Sequence, residues 1–310
     1  MKPRSLLAII LATLLLIAFF AVWRLQTLQR REQVAPLPQT PAVAPEHSRL
    51  VSLVPAVTEM VYMLGLGTNL VGRSDYCDFP DVATNLPSVG SLGSVNVESI
   101  ARLKPDFVLL SDAQAQARLR QALEKLHIAP IEVPVNSLDQ IFQSVWDVAE
   151  RFNATGNAEL WLEHVNDIIA QAKAHAPESP PRMLICAGRH PDSLERIYIS
   201  GRGNFYEGIV NIVGGTNAYD GPLPFPVVSR EGVLKMNPDI IVDIIVGDAA
   251  IDGAEKALGH WSRLSTVNAV KTGDVHILTD TWAVRPGPRI DRLVRSFSGY
   301  VRKWNEGHDH

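Results

Sequence analysis

The chain has 310 residues, 46% of them hydrophobic and 20% charged, with 21 glycines and 21 prolines. That mix suits a globular α/β protein with room for two lobes and excludes disordered, collagenous and coiled-coil chains. The formal net charge is −4, and residues 1–46 hold five of the 29 basic but two of the 33 acidic residues, so the remaining body is more acidic still and lacks a nucleic-acid-binding footprint. Two cysteines, Cys77 and Cys186, allow at most one disulfide and no four-cysteine zinc site.

Residues 6–23 form an apolar run broken only by Thr13 and closed by Arg24, which nearly spans a bilayer as a helix. The run is longer than a signal core and lacks a small-x-small cleavage site, so residues 1–24 are expected to be a retained membrane anchor, with a cleaved signal as the alternative. Basic residues on both flanks leave the orientation open, and the body is placed outside the cytoplasm. Residues 25–47 read as a linker; prolines at 36, 38, 41 and 45 make it a stiff extended tether.

From Arg49 onward, short β-branched runs alternate with helical periodicity, the mark of βα units around mainly parallel sheets. Strands are predicted at 49–54, 69–73, 106–110 and 131–135, and helices at 57–65, 96–104, 114–127 and 137–152. Residues 157–176 then set Ala158, Trp161, Leu162, Val165, Ile168, Ile169 and Ala172 on one face of a helix about 30 Å long. A second series follows, with strands near 183–187, 196–200, 239–246 and 275–279 and helices near 203–213, 229–236 and 289–305. The expected organisation is a first lobe at 48–153, an interlobe helix at 154–177 and a second lobe at 178–310.

An internal repeat supports that division. Glu98 begins a short helix seven residues before Pro105-Asp106 and a strand; Glu231 stands at the same distance before Pro238-Asp239 and a strand. The dipole favours a glutamate in a first turn, and Pro-Asp ends the helix.

Other chemistry is sparse. The nine histidines are scattered, with no His-x-x-x-His or His-Cys cluster, and the tail pair His308 and His310 suits adventitious metal only. Asp75, Cys77 and Asp78 share one loop, but no histidine is spaced to activate the thiol. Gly201-Arg-Gly203 opens a helix that can receive an anion, and Gly214-Gly215 suits a helix cap. No acid, base or nucleophile set converges, so the chain is not expected to be an enzyme.

Six ordered stretches carry a resemblance: SLVPAVTEMVYMLGLG (52–67), SDYCDFP (74–80), LPSVGSLGSVNVESIARLKPDFVLL (86–110), ISGRGNFYEGIVNIVGGTNAY (199–219), FPVVSREGVLKMNPDIIV (225–242) and TDTWAVRPGPRI (279–290). Over about residues 48–305 the chain resembles the periplasmic solute-binding proteins of ABC importers with a helical backbone, the family of vitamin B12 and iron–siderophore binders. The resemblance implies an α/β fold of two Rossmann-like lobes with mainly parallel sheets, joined by one long helix. It implies no resident cofactor and a transported ligand in the cleft: cobalamin or another corrinoid, with haem or a ferric siderophore as alternatives. Ligand-contacting positions of the family fall on Tyr76, Leu92, Ser111, Tyr198, Phe225, Trp282 and Arg285, with Leu92 and Ser111 where B12 binders carry tryptophans. Glu98 and Glu231 fall on the positions that dock onto arginines of the permease dimer, which works with its ATPase. The implied protein is a monomeric body at the periplasmic or extracytoplasmic face of the membrane. A tethered sensor domain or an enzyme of the same two-lobed architecture is the reading from another class.

Overall fold

The computed structural model describes residues 48–91, 94–111, 117–190, 192–247 and 253–308. The expected anchor, the linker up to residue 47, Leu92 and His310 lie outside the described residues. Among the described residues no helix is long and apolar enough to cross a membrane.

The first lobe opens with β1 (Leu50–Ser52), followed by α1 (Pro55–Met63). That helix begins two residues before the periodicity suggests, because Pro55, with no N–H to lose, fits its first turn. Next come β2 (Leu70–Arg73), a small antiparallel pair β3 (Gly90–Ser91) and β4 (Ser94–Val95), α2 (Val97–Leu103), β5 (Phe107–Leu110), α3 (Ala117–Lys125), β6 (Ala129–Glu132) and α4 (Leu138–Arg151). The sheet order is β2-β1-β5-β6, and every pair is parallel. β1 and β5 are buried along their whole length, as the central strands of a sheet covered on both faces must be. Pro130 is tolerated in β6 because that strand is an edge.

α5 (Thr155–Ala174) joins the lobes. It buries Ala158, Trp161, Val165, Ile168 and Ala172, with Leu162 and Ile169 partly buried beside them. Each large apolar side chain removed from water there contributes about 1.5–3 kcal/mol.

The second lobe contains β7 (Arg182–Arg189), β8 (Ile197–Ile199), α6 (Phe205–Ile212), β9 (Thr216–Asn217), β10 (Val227–Val228), α7 (Arg230–Met236), β11 (Ile240–Ile244), α8 (Gly253–Trp261), α9 (Asn268–Thr272), β12 (Val275–Leu278) and the C-terminal α10 (Ile290–Glu306). The sheet runs β10-β8-β7-β11-β12, with β9 beside the start of β7. β7, β9, β11 and β12 are parallel, and β8 and β10 add an antiparallel ribbon. α10 turns Ile290, Leu293, Val294, Phe297 and Val301 inward at three- and four-residue spacing.

One apolar cluster runs through both lobes. It takes in Leu50 and Val145 from the first, Trp161 and Val165 from α5, and Ile209, Val242 and Phe297 from the second. Each sheet also has its own outer cluster, around Val51 and Ile100 in one lobe and around Ile241 and Trp261 in the other. Because the inner core is shared, rotating one lobe against the other would break close packing, which favours a stiff frame.

Candidate functional site

Ligands of open α/β sheets sit beyond the carboxyl ends of the strands. Two loops leave those ends here, residues 74–80 after β2 and residues 279–289 after β12, and charged side chains join them across the lobes. Arg285 donates through Nη1 to Asp78 Oδ1 (2.5 Å) and Glu59 Oε1 (3.4 Å), and through Nη2 to Asp78 Oδ2 (2.9 Å) and the Tyr76 carbonyl (3.5 Å). Arg289 donates Nε and Nη2 to the two oxygens of Glu59, at 2.8 and 2.5 Å. Its guanidinium also lies 3.9 Å from the centre of the Phe79 ring, within cation–π range.

Glu59 is a lone acidic residue on the apolar helix α1, and it is 3% exposed. A carboxylate that deep persists only when paired, and two arginines pair it. The Arg285 guanidinium, with the Arg289 charge adding to it, holds the Asp78 carboxyl below its ordinary range despite partial burial. Burial opposes the charge on Arg285, but the bonds and fields of Asp78 and Glu59 overcome it and raise its pKa. The loop between the arginines is tightly seated: Trp161 Nε1 donates to the Pro288 carbonyl at 2.8 Å, and a Cβ on Gly287 would meet Ala56 of α1 at 3.0 Å.

The aromatic residues divide into two groups. Tyr76 is 64% exposed beside the Asp78–Arg285 bridge; Tyr198 and Phe225 are 45% and 46% exposed at the β8–β10 ribbon, where Tyr198 faces Val227 in register. Phe225 follows a loop that binds back to the chain, with Gly201 N–H donating to the Pro224 carbonyl and Arg202 N–H to that of Leu223. Only glycine fits at 201, since a Cβ there would lie 1.9 Å from Leu223 O. Trp282, in contrast, is 8% exposed and belongs to the shared core. The expectation that its face lines a cleft therefore meets a side chain that is almost wholly buried. Ser111 is half-buried just past the end of β5.

Of the candidate ligand residues, the structure brings Tyr76 and Arg285 together, places Tyr198 and Phe225 at one ribbon, and sets Trp282, buried, in the turn that leads to Arg285. Sequence reasoning missed Glu59, Arg289 and Phe79, and it named Asp78 only as a neighbour of Cys77. A single acidic residue among PAVTEMVYM was the available signal for a buried partner.

Glu98 and Glu231 are exposed in the first turns of α2 and α7. The caps are other residues: Asn96 accepts from Ser99 N–H at 2.9 Å and Ser229 from Gly232 N–H at 3.3 Å. A hydrogen bond from Ser229 lowers the pKa of Glu231 and keeps it charged.

Both cysteines are buried free thiols. Cys77 contacts Ser74 Oγ at 3.1 Å, and burial together with the Asp243 carboxylate pushes the Cys186 thiol up. A thiol without solvent access is a poor nucleophile. The anion expected at Gly201-Arg-Gly203 has an internal substitute, because the Glu207 carboxylate reaches back to Gly203 N–H at 2.6 Å and fills the start of α6. Gly214, at φ +79°, closes that helix as a left-handed cap residue. Among the described residues no group of three or more His, Cys, Asp or Glu gathers where it could hold a metal ion.

The sequence profile of a periplasmic binding protein family matches residues 50–281. The vitamin B12-binding protein of Yersinia pestis is 31% identical over 255 residues, which cover 81% of this chain and 84% of that one. The crystal structure of the periplasmic vitamin B12-binding protein of Vibrio cholerae superposes with a TM-score of 0.70 at 27% identity, covering 83% of this chain and 97% of the other. A periplasmic haem-binding protein from Roseiflexus, at 22% identity, shares the fold with a TM-score of 0.70, covering 84% and 99% of the two chains.

Proposed function

The chain belongs to the periplasmic binding protein family, and from that premise we propose that it captures a corrinoid of the vitamin B12 type between its lobes and delivers it to an ABC import permease. The observation that carries the ligand reading is the exposed aromatic area at the strand ends: Tyr76 in the first lobe, Tyr198 and Phe225 in the second. A flat macrocycle covers such faces at low entropic cost, with Arg285 at the rim. Similarity to two vitamin B12-binding proteins supports the same ligand class. Leu92 and Ser111 supply no aromatic face in the first lobe, which favours haem or a ferric siderophore as the second reading, and the shared fold of a haem binder accommodates it.

Glu98 and Glu231 would meet arginines of a two-fold permease dimer, one from each lobe, and the permease would work with its ATPase. Charged rim contacts of this kind steer encounter and fix orientation more than they add affinity. Residues 6–23 would hold the body at the extracytoplasmic face, with 25–47 as the tether. The role is capture and delivery rather than catalysis or sensing, in keeping with two thiols buried away from solvent.

The test is titration of the purified full-length chain, in detergent, with cyanocobalamin, haemin and a ferric siderophore, followed by calorimetry and visible spectra. Cyanocobalamin is expected to bind one to one. Binding of haemin or siderophore with no corrin binding would overturn the ligand assignment and leave the family role standing.

A further inference from the structure

The interlobe network contains two carboxylates, Glu59 and Asp78, and two guanidiniums, Arg285 and Arg289, so its charges cancel. The members differ in what a ligand can reach. The Glu59 side chain is 2% exposed and holds both arginines, which makes it a fixed part of the frame. Asp78 is 51% exposed on the loop that also carries Tyr76, and its only charged partner in the network is Arg285, which it meets with both oxygens. The Arg285 side chain is itself 12% exposed, with Glu59 behind it and Asp78 in front.

With Asp78 in place, a ligand arriving at this rim meets a neutral bidentate pair. A carboxylate on the ligand must displace Asp78 to gain Arg285, leaving one anion beside another; an amide gains a hydrogen bond without displacing anything. We propose that Asp78 is a specificity residue: by neutralising Arg285 it selects a macrocycle whose rim carries uncharged amides and rejects one whose rim carries carboxylates. This rests on the reading of the site as a macrocycle cleft, and it narrows that reading to a charge class.

The experiment compares ligands that differ by one group: cyanocobalamin and its monocarboxylic acids, in which a single rim amide is hydrolysed, with haemin as a second carboxylate-bearing macrocycle. Each is titrated against the full-length wild-type chain and Asp78→Asn, which keeps the size of the side chain and leaves Glu59 on both arginines. Wild type should prefer the amide over at least one monocarboxylic acid by about tenfold, and Asp78→Asn should shift that ratio by about tenfold toward the acid, with the gain fading at high salt. Asp78→Ala should shift it the same way, which separates charge from shape. An equal change for amide and acid, or no change, would overturn the proposal. Should wild type bind haemin but no corrin, the corrinoid reading fails, and the charge rule stands only if Asp78→Asn tightens haemin. Binding of neither macrocycle by wild type or variant overturns both.

Discussion

Arg49 opens the first lobe by donating its backbone N–H to Asp106 and its guanidinium to the carbonyls of Leu103 and Lys104. Arg182 opens the second by donating its N–H to Asp239 and its guanidinium to the carbonyls of Met236 and Ala218. The Arg–Asp pairs are 57 residues apart in both lobes, and each guanidinium reaches the last residue of a seven-residue helix that closes in a left-handed residue, Lys104 or Asn237. The strand order β2-β1-β5-β6 recurs as β9-β7-β11-β12. What differs is the finish at the carboxyl ends of the strands. Leu53 and Leu110 of the first lobe correspond in register to Cys186 and Asp243 of the second; where the first lobe's chain has already turned into α1, β7 runs on to Arg189, and the second lobe adds the β8–β10 ribbon with Tyr198. The shared frame ends its two central strands in apolar residues in one lobe and in a buried ion pair beside an aromatic ribbon in the other. The scaffold is thus set by helix–strand joints, while the surface offered to a ligand varies at strand ends.

The largest expected effect comes from that polar finish. Asp243 is fully buried and accepts from Arg189 Nε (2.9 Å) and Trp261 Nε1 (2.7 Å). Removing one partner of a buried ion pair leaves the other charge uncompensated, so Asp243→Ala should cost about 3–5 kcal/mol in urea unfolding. An apolar pair patterned on Leu110, Asp243→Leu with Arg189→Met, should recover part of that, since it removes both charges but leaves the buried Trp261 N–H without its acceptor. A double variant no more stable than Asp243→Ala would show that the lobes are not interchangeable at this level.

The same comparison shows what was legible in the sequence. The repeat of glutamate, Pro-Asp and strand was visible because helix stops and strand starts are local. α5 and α10 were visible because their apolar residues recur at three and four. β9 and β10, two residues each, carry no period to read, and α8 and α9, nine and five residues long, are too short to show a sustained helical repeat. The candidate site was less legible than the fold. Glu59 meets Arg285 and Arg289 across 226 and 230 residues, a pairing that depends on how the lobes dock and not on any local pattern. Trp282 is followed by a run rich in proline and arginine, which pointed to a cleft loop over the alternative of an ordinary core aromatic.

A smaller effect tests the register of the edge strands. β12 His276 pairs with Val242 as Ile131 of β6 pairs with Leu109, so a titratable ring stands where the first lobe has isoleucine. Burial and, after it, the nearby Lys303 charge push the His276 pKa down to about 4, and the ring stacks on Tyr300 with centroids 4.0 Å apart. A histidine whose folded pKa lies below its unfolded value binds its proton first in the unfolded chain. Stability should therefore fall as pH drops from about 6.5 to about 4 and level off below, by about 1–2 kcal/mol once solvent screening is allowed for. His276→Ile, the first lobe's residue, should flatten stability across that window in denaturant titrations. A slope unchanged by the substitution would place the titrating group elsewhere.

The smallest effect on the fold is expected where the lobes agree most closely. Glu98 and Glu231 occupy equivalent first turns, and in each helix the cap is made by a neighbour, Asn96 or Ser229. Both glutamates are exposed, so solvent and salt screen their favourable placement at a helix start and it adds little to stability. Stability is a weak reason for a matching carboxylate on each lobe; a partner with matching cations is a stronger one. Glu98→Lys with Glu231→Lys should leave unfolding and ligand affinity nearly unchanged yet abolish uptake in cells, because like charges facing each other across an interface cost several kcal/mol. Either single change should be milder, with one lobe still holding. Arginine-to-glutamate changes on the permease that restore uptake would identify the receiving surface. If the double variant transports normally at matched protein level, the equivalence of the two turns reflects the shared frame alone.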